Sequence, residues 1–253
     1  MGELGSYTTK TPVHVFLGNI PDGSFDASDI TAADFEGAAV GVADAGTAAA
    51  RNLTKLPPAL GAIGYYRKPG GKFIVINVPD AQYGVQPAGL NNNNVVTGTY
   101  DGIGGFVWPL ATRIATEFDC PGPLETFPAA INDKGTITGG CGQYTPDTGF
   151  VRDAYGTITT FTPIFKNFGA YTSEVYPQAI NKYGTVTGYF LGKSQYGAGL
   201  LNHGFIRSKK GNIKVFDYPA AGETYPLAIN DNGVVVGWFY DSNNVQHGFE
   251  RDP

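Results

Sequence analysis

Charge is scarce in this chain of 253 residues. Asp, Glu, Lys and Arg make up 15% of it, against about a quarter in an average soluble domain. There is one Met, three His and two Cys. So little Glu, Lys and Arg excludes a coiled coil or helical bundle. With 17 Lys and Arg against 22 Asp and Glu, the net charge is −5 and no basic stripe is present. Nucleic acid is therefore excluded as an expected partner. No stretch approaches the apolar length that crosses a bilayer, so no membrane partner is expected. The N-terminus (MGELGSYTTK) lacks a charged start followed by an apolar run. No leader is visible, which reads as a cytosolic protein or one whose leader has been removed.

Reactive groups are equally sparse. His14, His203 and His247 have no metal-ligand spacing, and Cys120 and Cys141 lack helper ligands for zinc. Two buried free thiols are favoured over a disulfide. No Gly-x-Ser-x-Gly elbow occurs. The glycines from Gly102 to Gly105 form a turn rather than a dinucleotide fingerprint, since no helix follows. Asp26, Asp29 and Asp80 offer carboxylates, but no spacing selects a glycosidase pair. No cofactor and no metal are expected.

What is abundant is Gly (36), Pro (17) and aromatic residues (13%), the composition of many short strands joined by turns. The strands repeat. One phrase runs Pro87–Gly98 (PAGLNNNNVVTG), Pro128–Gly139 (PAAINDKGTITG), Pro177–Gly188 (PQAINKYGTVTG) and Pro226–Gly237 (PLAINDNGVVVG), with a degenerate copy over Ala27–Gly41. A second is Gly-aromatic: Gly64-Tyr65, Gly105-Phe106, Gly149-Phe150, Gly204-Phe205 and Gly248-Phe249. A third is an apolar run closing on Pro21, Pro79, Pro121, Pro163 or Pro219. Three phrases in one order, five times over, give units of four short strands, A to D. Leu227–Asn230, Val234–Tyr240, Gln246–Arg251 and Ile213–Tyr218 are examples of A, B, C and D. Asn/Gly pairs close the A–B hairpins.

Four strands per roughly 45 to 50 residues is the signature of a propeller blade. The predicted fold is all-β: a closed five-bladed β-propeller, one domain over 1–253. Its blades fall at approximately 27–78, 87–119, 128–161, 177–218 and 226–251 plus 13–20. The N-terminal strand, Val13 to Ile20, is expected to complete the last blade and leave no open edge.

These phrases resemble the HAF-type repeat over residues 13–251: Gly-Phe, an apolar strand to Asp-x-Pro, then Ala-Ile-Asn-x-x-Gly-x-Val-x-Gly. The resemblance implies the architecture and is nearly silent about activity. In size and blade count the chain is also similar to five-bladed sugar-binding lectins of the tachylectin kind. A weaker similarity is to fungal hetero-Diels–Alderases of tropolone–sesquiterpene pathways. It rests on size, blade count, aromatic content and the lack of catalytic clusters, which is analogy at the level of fold.

The repeats break on one side. A–B and C–D turns are short and share one face by alternation. The long insertions Ala43–Leu60, Ile164–Tyr176 and Leu191–Leu201 fall on the other. Drift in loop length is the bland explanation; a site carried on loops is the functional one. The position just before strand A is held by Asp26, Gln86, Phe127, Tyr176 and Tyr225. These side chains either pack between blades or line a pocket at the channel mouth. Phe165, Phe168, Tyr171 and Tyr196 on the long loops would roof it. The catalytic candidates are Gln86, Tyr176 and Tyr225, whose amide and hydroxyls could hydrogen-bond a substrate carbonyl. Asp26, Phe127, Phe165, Phe168, Tyr171 and Tyr196 are the substrate-binding ones. His203 and His247 recur in His-Gly-Phe, which points to structure. Arg67, Arg152, Arg207 and Arg251 are expected to brace blades against acidic neighbours.

The expected partner is thus a small apolar or aromatic molecule, and the expected activity a cofactor-independent cyclisation of hetero-Diels–Alder type. A lectin-like module and a protein-interaction propeller are the alternatives.

Overall fold

The computed structural model describes residues 14–19, 24–29, 35–42, 48–54, 63–67, 74–164, 172–193, 199–218, 222–241 and 243–253; side chains are described for 64–66 and from 74 onward. All regular structure among them is strand. In chain order, β1 (His14–Asn19) and β2 (Ser24–Asp29) form a hairpin. A four-stranded sheet follows: β3 (Phe35–Val42), β4 (Ala48–Thr54), β5 (Ile63–Arg67) and β6 (Ile74–Val75). The second is β7 (Val85–Leu90), β8 (Val95–Tyr100), β9 (Gly104–Pro109) and β10 (Thr116–Phe118). The third is β11 (Glu125–Ile131), β12 (Ile137–Gly142), β13 (Thr148–Arg152) and β14 (Ile158–Phe161). The fourth is β15 (Thr172–Ile180), β16 (Val186–Lys193), β17 (Leu200–Arg207) and β18 (Ile213–Phe216). The fifth has three strands, β19 (Glu223–Ile229), β20 (Val235–Tyr240) and β21 (Gln246–Arg251). All pairings are antiparallel between chain neighbours, and β3, β7, β11, β15 and β19 touch in succession.

Each repeated phrase has a physical reason. Pro87, Pro128, Pro177 and Pro226 lie opposite Gly98, Gly139, Gly188 and Gly237, next to a bulge in the first strand. A Cβ on Gly139 would lie 2.1 Å from the Phe127 carbonyl oxygen, and the other three meet the same obstacle. The Thr before that glycine is buried and donates to the next strand, as Thr138 Oγ1 does to the Phe150 carbonyl at 2.9 Å. Thr97 and Thr187 do the same to Phe106 and Phe205.

Sheet packs on sheet through rings. Phe150 meets Phe118 of the sheet before it edge-on at 6.1 Å, and Phe161–Phe205 and Phe216–Phe249 repeat the contact. Arg152, Arg207 and Arg251 lie over Phe118, Phe161 and Phe216 at 4.8–5.0 Å. Arg152, Arg207 and Arg251 therefore brace neighbouring sheets, but on aromatic faces rather than acidic groups: a desolvated guanidinium stacks well on a ring; the Arg67 side chain lies outside the described residues. The short turns share one end, with Gly135 beside Ala154 and Gly184 beside Lys209.

Three findings differ from the expectations. First, β1 pairs with β2, His14 opposite Asp29, and among the described residues the fifth sheet has three strands. The two strands are separated by a Pro-Asp-Gly sequence with turn chemistry, and closing so short a loop costs little entropy. Second, the stretch 43–60, expected as one long connection, contains β4, and the first sheet begins at β3 instead of at residue 27. Third, Cys120 and Cys141 are joined by a disulfide, with Cα atoms 5.9 Å apart. The Cys120 backbone N–H is fixed to Thr126 Oγ1 at 2.9 Å, which brings it beside Cys141 on the third sheet. Burial alone favoured free thiols; the register of adjacent sheets was needed to show that the two sulfurs meet.

Candidate functional site

Gln86, Phe127, Tyr176 and Tyr225 occupy one register position, immediately before the bulge proline on the first strand of four successive sheets. All four are half-buried. Their cross-strand partners differ: Thr99, Gly140, Tyr189 and Trp238. Directly opposed residues share a sheet face. The fourth and fifth sheets thus present paired rings where the second and third present small residues.

These rings run together. Tyr176 stacks on Tyr189 at 5.0 Å, Tyr189 meets Tyr225 edge-on at 5.0 Å, and Tyr225 stacks on Trp238 at 3.7 Å. Tyr240 closes the row against Trp238 at 5.2 Å. The Tyr189–Tyr225 contact crosses from the fourth sheet to the fifth. All five rings are half-buried, so the row is a wall with open edges and not part of the core.

Polar groups line the wall. The Tyr176 hydroxyl donates to Glu174 Oε2 at 2.6 Å, and the Tyr225 hydroxyl donates to Glu223 Oε2 at 2.8 Å. Asn202 Nδ2 donates to Glu223 Oε1 and to the Tyr225 hydroxyl, both at 2.9 Å. Burial, and then the adjacent Glu174 or Glu223, push the ionisation of Tyr176 and Tyr225 well above the ordinary phenol range. Burial also raises Tyr189, with Glu174 adding to it. These phenols stay neutral, and their protons are committed to carboxylates. A substrate carbonyl would have to displace a glutamate to gain one.

Of the sequence candidates, Tyr176 and Tyr225 come together through Tyr189. Gln86 and Phe127 sit at equivalent positions on other sheets. Asp26 lies on β2, opposite Leu17, and is not on a four-stranded sheet. Phe165, Phe168, Tyr171 and Tyr196 lie outside the described residues. The partners that were not expected are Tyr189, Trp238, Tyr240, Asn202, Glu174 and Glu223. A signal for the glutamates was present: Glu-x-aromatic-Pro recurs at Glu125, Glu174 and Glu223. Tyr189 and Trp238 each follow the repeat glycine.

Elsewhere, His203 Nδ1 lies 2.8 Å from Asp217 Oδ1, and His247 Nε2 lies 3.1 Å from Asp241 Oδ2. A shallow open cleft of about 330 Å³ between the second and third sheets is lined by Tyr100, Ile103, Asp119, Leu124 and Glu125 among others. Among the described residues no group of three His, Cys, Asp or Glu side chains is arranged to hold a metal ion.

No family model matches the chain, and no curated protein matches it. Solved structures do. YjhT is similar at a TM-score of 0.50 and 10% identity, covering 98% of this chain and 96% of that one. A streptogramin B lyase follows at 0.49 and 14%, covering 92% and 74%. The β-propeller domain of the Trilobed protease from Pyrococcus furiosus, described as having an open velcro topology, stands at 0.48 and 10%, covering 94% and 85%. These neighbours are β-propellers. At such identities the likeness is one of fold alone.

Proposed function

We propose that the chain is a five-bladed propeller that binds a small molecule with a flat, unsaturated face at the mouth of its fourth and fifth sheets, and that it accelerates a cycloaddition there without a cofactor. The observation that carries this reading is the half-exposed ring row Tyr176–Tyr189–Tyr225–Trp238, with hydrogen-bonding groups at its edge. Planar ligands gain both buried area and ring contacts on such a wall. Gln86 and Phe127, at the equivalent position on the second and third sheets, are assigned to the same cup; Asp26, Phe165, Phe168, Tyr171 and Tyr196 belong to the proposal on the sequence alone. In a hetero-Diels–Alder step, four π electrons of an enone and two of an alkene become two σ bonds and one relocated π bond. No proton or electron leaves, so alignment is the main requirement. With both phenol protons held by glutamates, the rings supply that alignment, and the Gln86 amide is assigned as the donor to a carbonyl as part of the proposal.

Ring closure belongs to this reading. Val236 is 41% exposed, whereas the threonines at its position in the three sheets before it are fully buried. A Cβ on Gly204 would touch Pro226 of the following sheet, whereas among the described residues nothing from a following sheet lies within 4 Å of a Cβ on Gly248. This open face fits the first sheet, and the free edge of β21 fits residues 13–20, whose sequence follows the fourth-strand phrase of the other units.

One observation favours a carbohydrate ligand instead. Asn202, Glu223 and the Tyr225 hydroxyl form a linked polar triad beside the Trp238 ring, an arrangement that also suits vicinal hydroxyls on a stacked sugar.

Tryptophan fluorescence separates the two. Trp108 is buried at 1% exposure, so Trp238 reports on the wall. Saturable quenching by hydroxynaphthalenes, lost in Tyr189→Ala, is expected. Saturation by oligosaccharides alone would transfer the site to the carbohydrate reading, and no response to either would overturn both. For catalysis, turnover of an o-quinone methide with an electron-rich alkene should fall in Gln86→Ala; unchanged turnover in Gln86→Ala, Tyr176→Phe and Tyr225→Phe would remove the cyclase assignment.

A further inference from the structure

Resting on that binding site, we infer that its ligand carries an organic ammonium group, seated against the Tyr176, Tyr189 and Tyr225 rings and between the carboxylates of Glu174 and Glu223. Two independent features of the wall point the same way. The first is the rings. Elsewhere the chain supplies its own cations to aromatic faces: Arg152, Arg207 and Arg251 lie over Phe118, Phe161 and Phe216, and Lys182 over Tyr183. Among the described residues, no such cation covers Tyr176, Tyr189, Tyr225 or Trp238.

The second is the carboxylates. Among the described residues Lys182 forms an ion pair with Asp231, and His203 and His247 lie against Asp217 and Asp241. None involves Glu174 or Glu223. Each glutamate sits two residues before its tyrosine, half-buried on the first strand of its sheet, and takes that tyrosine's hydroxyl proton as a hydrogen bond. Glu223 Oε1 also accepts from Asn202, from Nδ2 at 2.9 Å and from the backbone N–H at 3.3 Å; neutral donors satisfy the oxygens but leave the charge in place. Half-buried charge without a counter-ion is costly, and a cationic ligand removes that cost.

The two features reinforce each other. A phenol that donates to a carboxylate pushes electron density into its ring, which strengthens attraction for a cation over the face. Burial, and then these same glutamates, raise the Tyr176 and Tyr225 ionisations. Glu125 repeats the position on the third sheet, where it accepts the Tyr144 N–H at 2.9 Å. The described part of the mouth is therefore acidic on three successive sheets, and a carboxylated ligand would be repelled from it.

Choline and its uncharged isostere 3,3-dimethylbutan-1-ol test the charge without changing the shape. By calorimetry the intact chain should bind choline about tenfold tighter than the alcohol. A high-salt buffer should reduce that preference. The double variant Glu174→Gln, Glu223→Gln keeps an acceptor for each phenol and should abolish the preference. Equal affinity for the two probes, or a preference that survives both high salt and the double variant, overturns the inference. The salt arm uses the unaltered chain, so the result stands even if the variant does not fold. Hydroxynaphthalene quenching with indifference to choline would refute the ammonium group and leave the binding site standing. Silence to both would remove the site as well.

Discussion

Asn132 donates from Nδ2 to the backbone carbonyl of Asn181, one sheet further on, at 2.9 Å. Its own Oδ1 accepts the N–H groups of Lys134 and Thr136, both at 3.0 Å, which shapes the hairpin turn. Asn91 does the same towards Asn132, and Asn181 towards Asn230. One side chain thus builds its own turn and ties it to the next. Asn132→Ala should lose about 2–4 kcal/mol, because three hydrogen bonds go and buried groups are left unpaired. Urea unfolding measures this. A loss below about 0.5 kcal/mol, the range of an ordinary surface substitution, would show that the ladder is incidental.

The Cys120–Cys141 bridge joins the second sheet's exit to the third sheet, across a separation of 21 residues. Reduction, or Cys141→Ser, should cost about 2–4 kcal/mol. Native protein should resist alkylation until reduced, as followed by mass. Labelling of two thiols without reductant would contradict the bridge.

Gly139→Ala should be far worse than Ala→Gly changes of the same size on the surface. The added methyl would meet the Phe127 carbonyl oxygen and Pro128 Cα, which are backbone and cannot swing aside. A loss above about 2 kcal/mol is expected. Gly199→Ala, where no described residue lies within 4 Å of the added methyl, is the control. Thermal melts of the two variants should separate clearly.

Alkaline pH should destabilise the fold through its tyrosines. Tyr100 is pushed up to about 12 by burial first, then by Glu117 and Asp119. A phenol raised above its ordinary 10.0 favours the protonated form in the folded state. Its contribution is therefore complete below pH 10 and is lost as the pH climbs towards 12, since the unfolded chain releases the proton first. Denaturation midpoints should fall across that window, and less steeply in Tyr100→Phe. An identical slope in the variant would exclude Tyr100 as a contributor.

Ring closure predicts slow amide exchange along β21. If residues 13–20 lie beside it as a fourth strand, both edges of β21 are paired and its outward amides are protected as strongly as those of β17. Deleting residues 1–20 should then release them. Fast exchange in the intact chain would favour the β1–β2 hairpin as the persistent pairing.

The repeated phrases determined a great deal without any coordinates. Strand order within a sheet, turn chemistry, the Pro–Gly register and the stacking of like units all follow from local rules, because each concerns neighbours in the chain or the same position one repeat away. Gln86, Phe127, Tyr176 and Tyr225 were legible as a set for that reason. What they touch was not. Tyr189 and Trp238 belong to a different strand, Asn202 reaches Tyr225 from a neighbouring sheet, and Cys120 meets Cys141 only through the way two sheets pack. Periodicity says which face a side chain shares and leaves open which ring, carboxylate or sulfur arrives opposite it. That is fixed by the twist and spacing of sheets packed face to face, a property of the assembled fold with no counterpart along the chain.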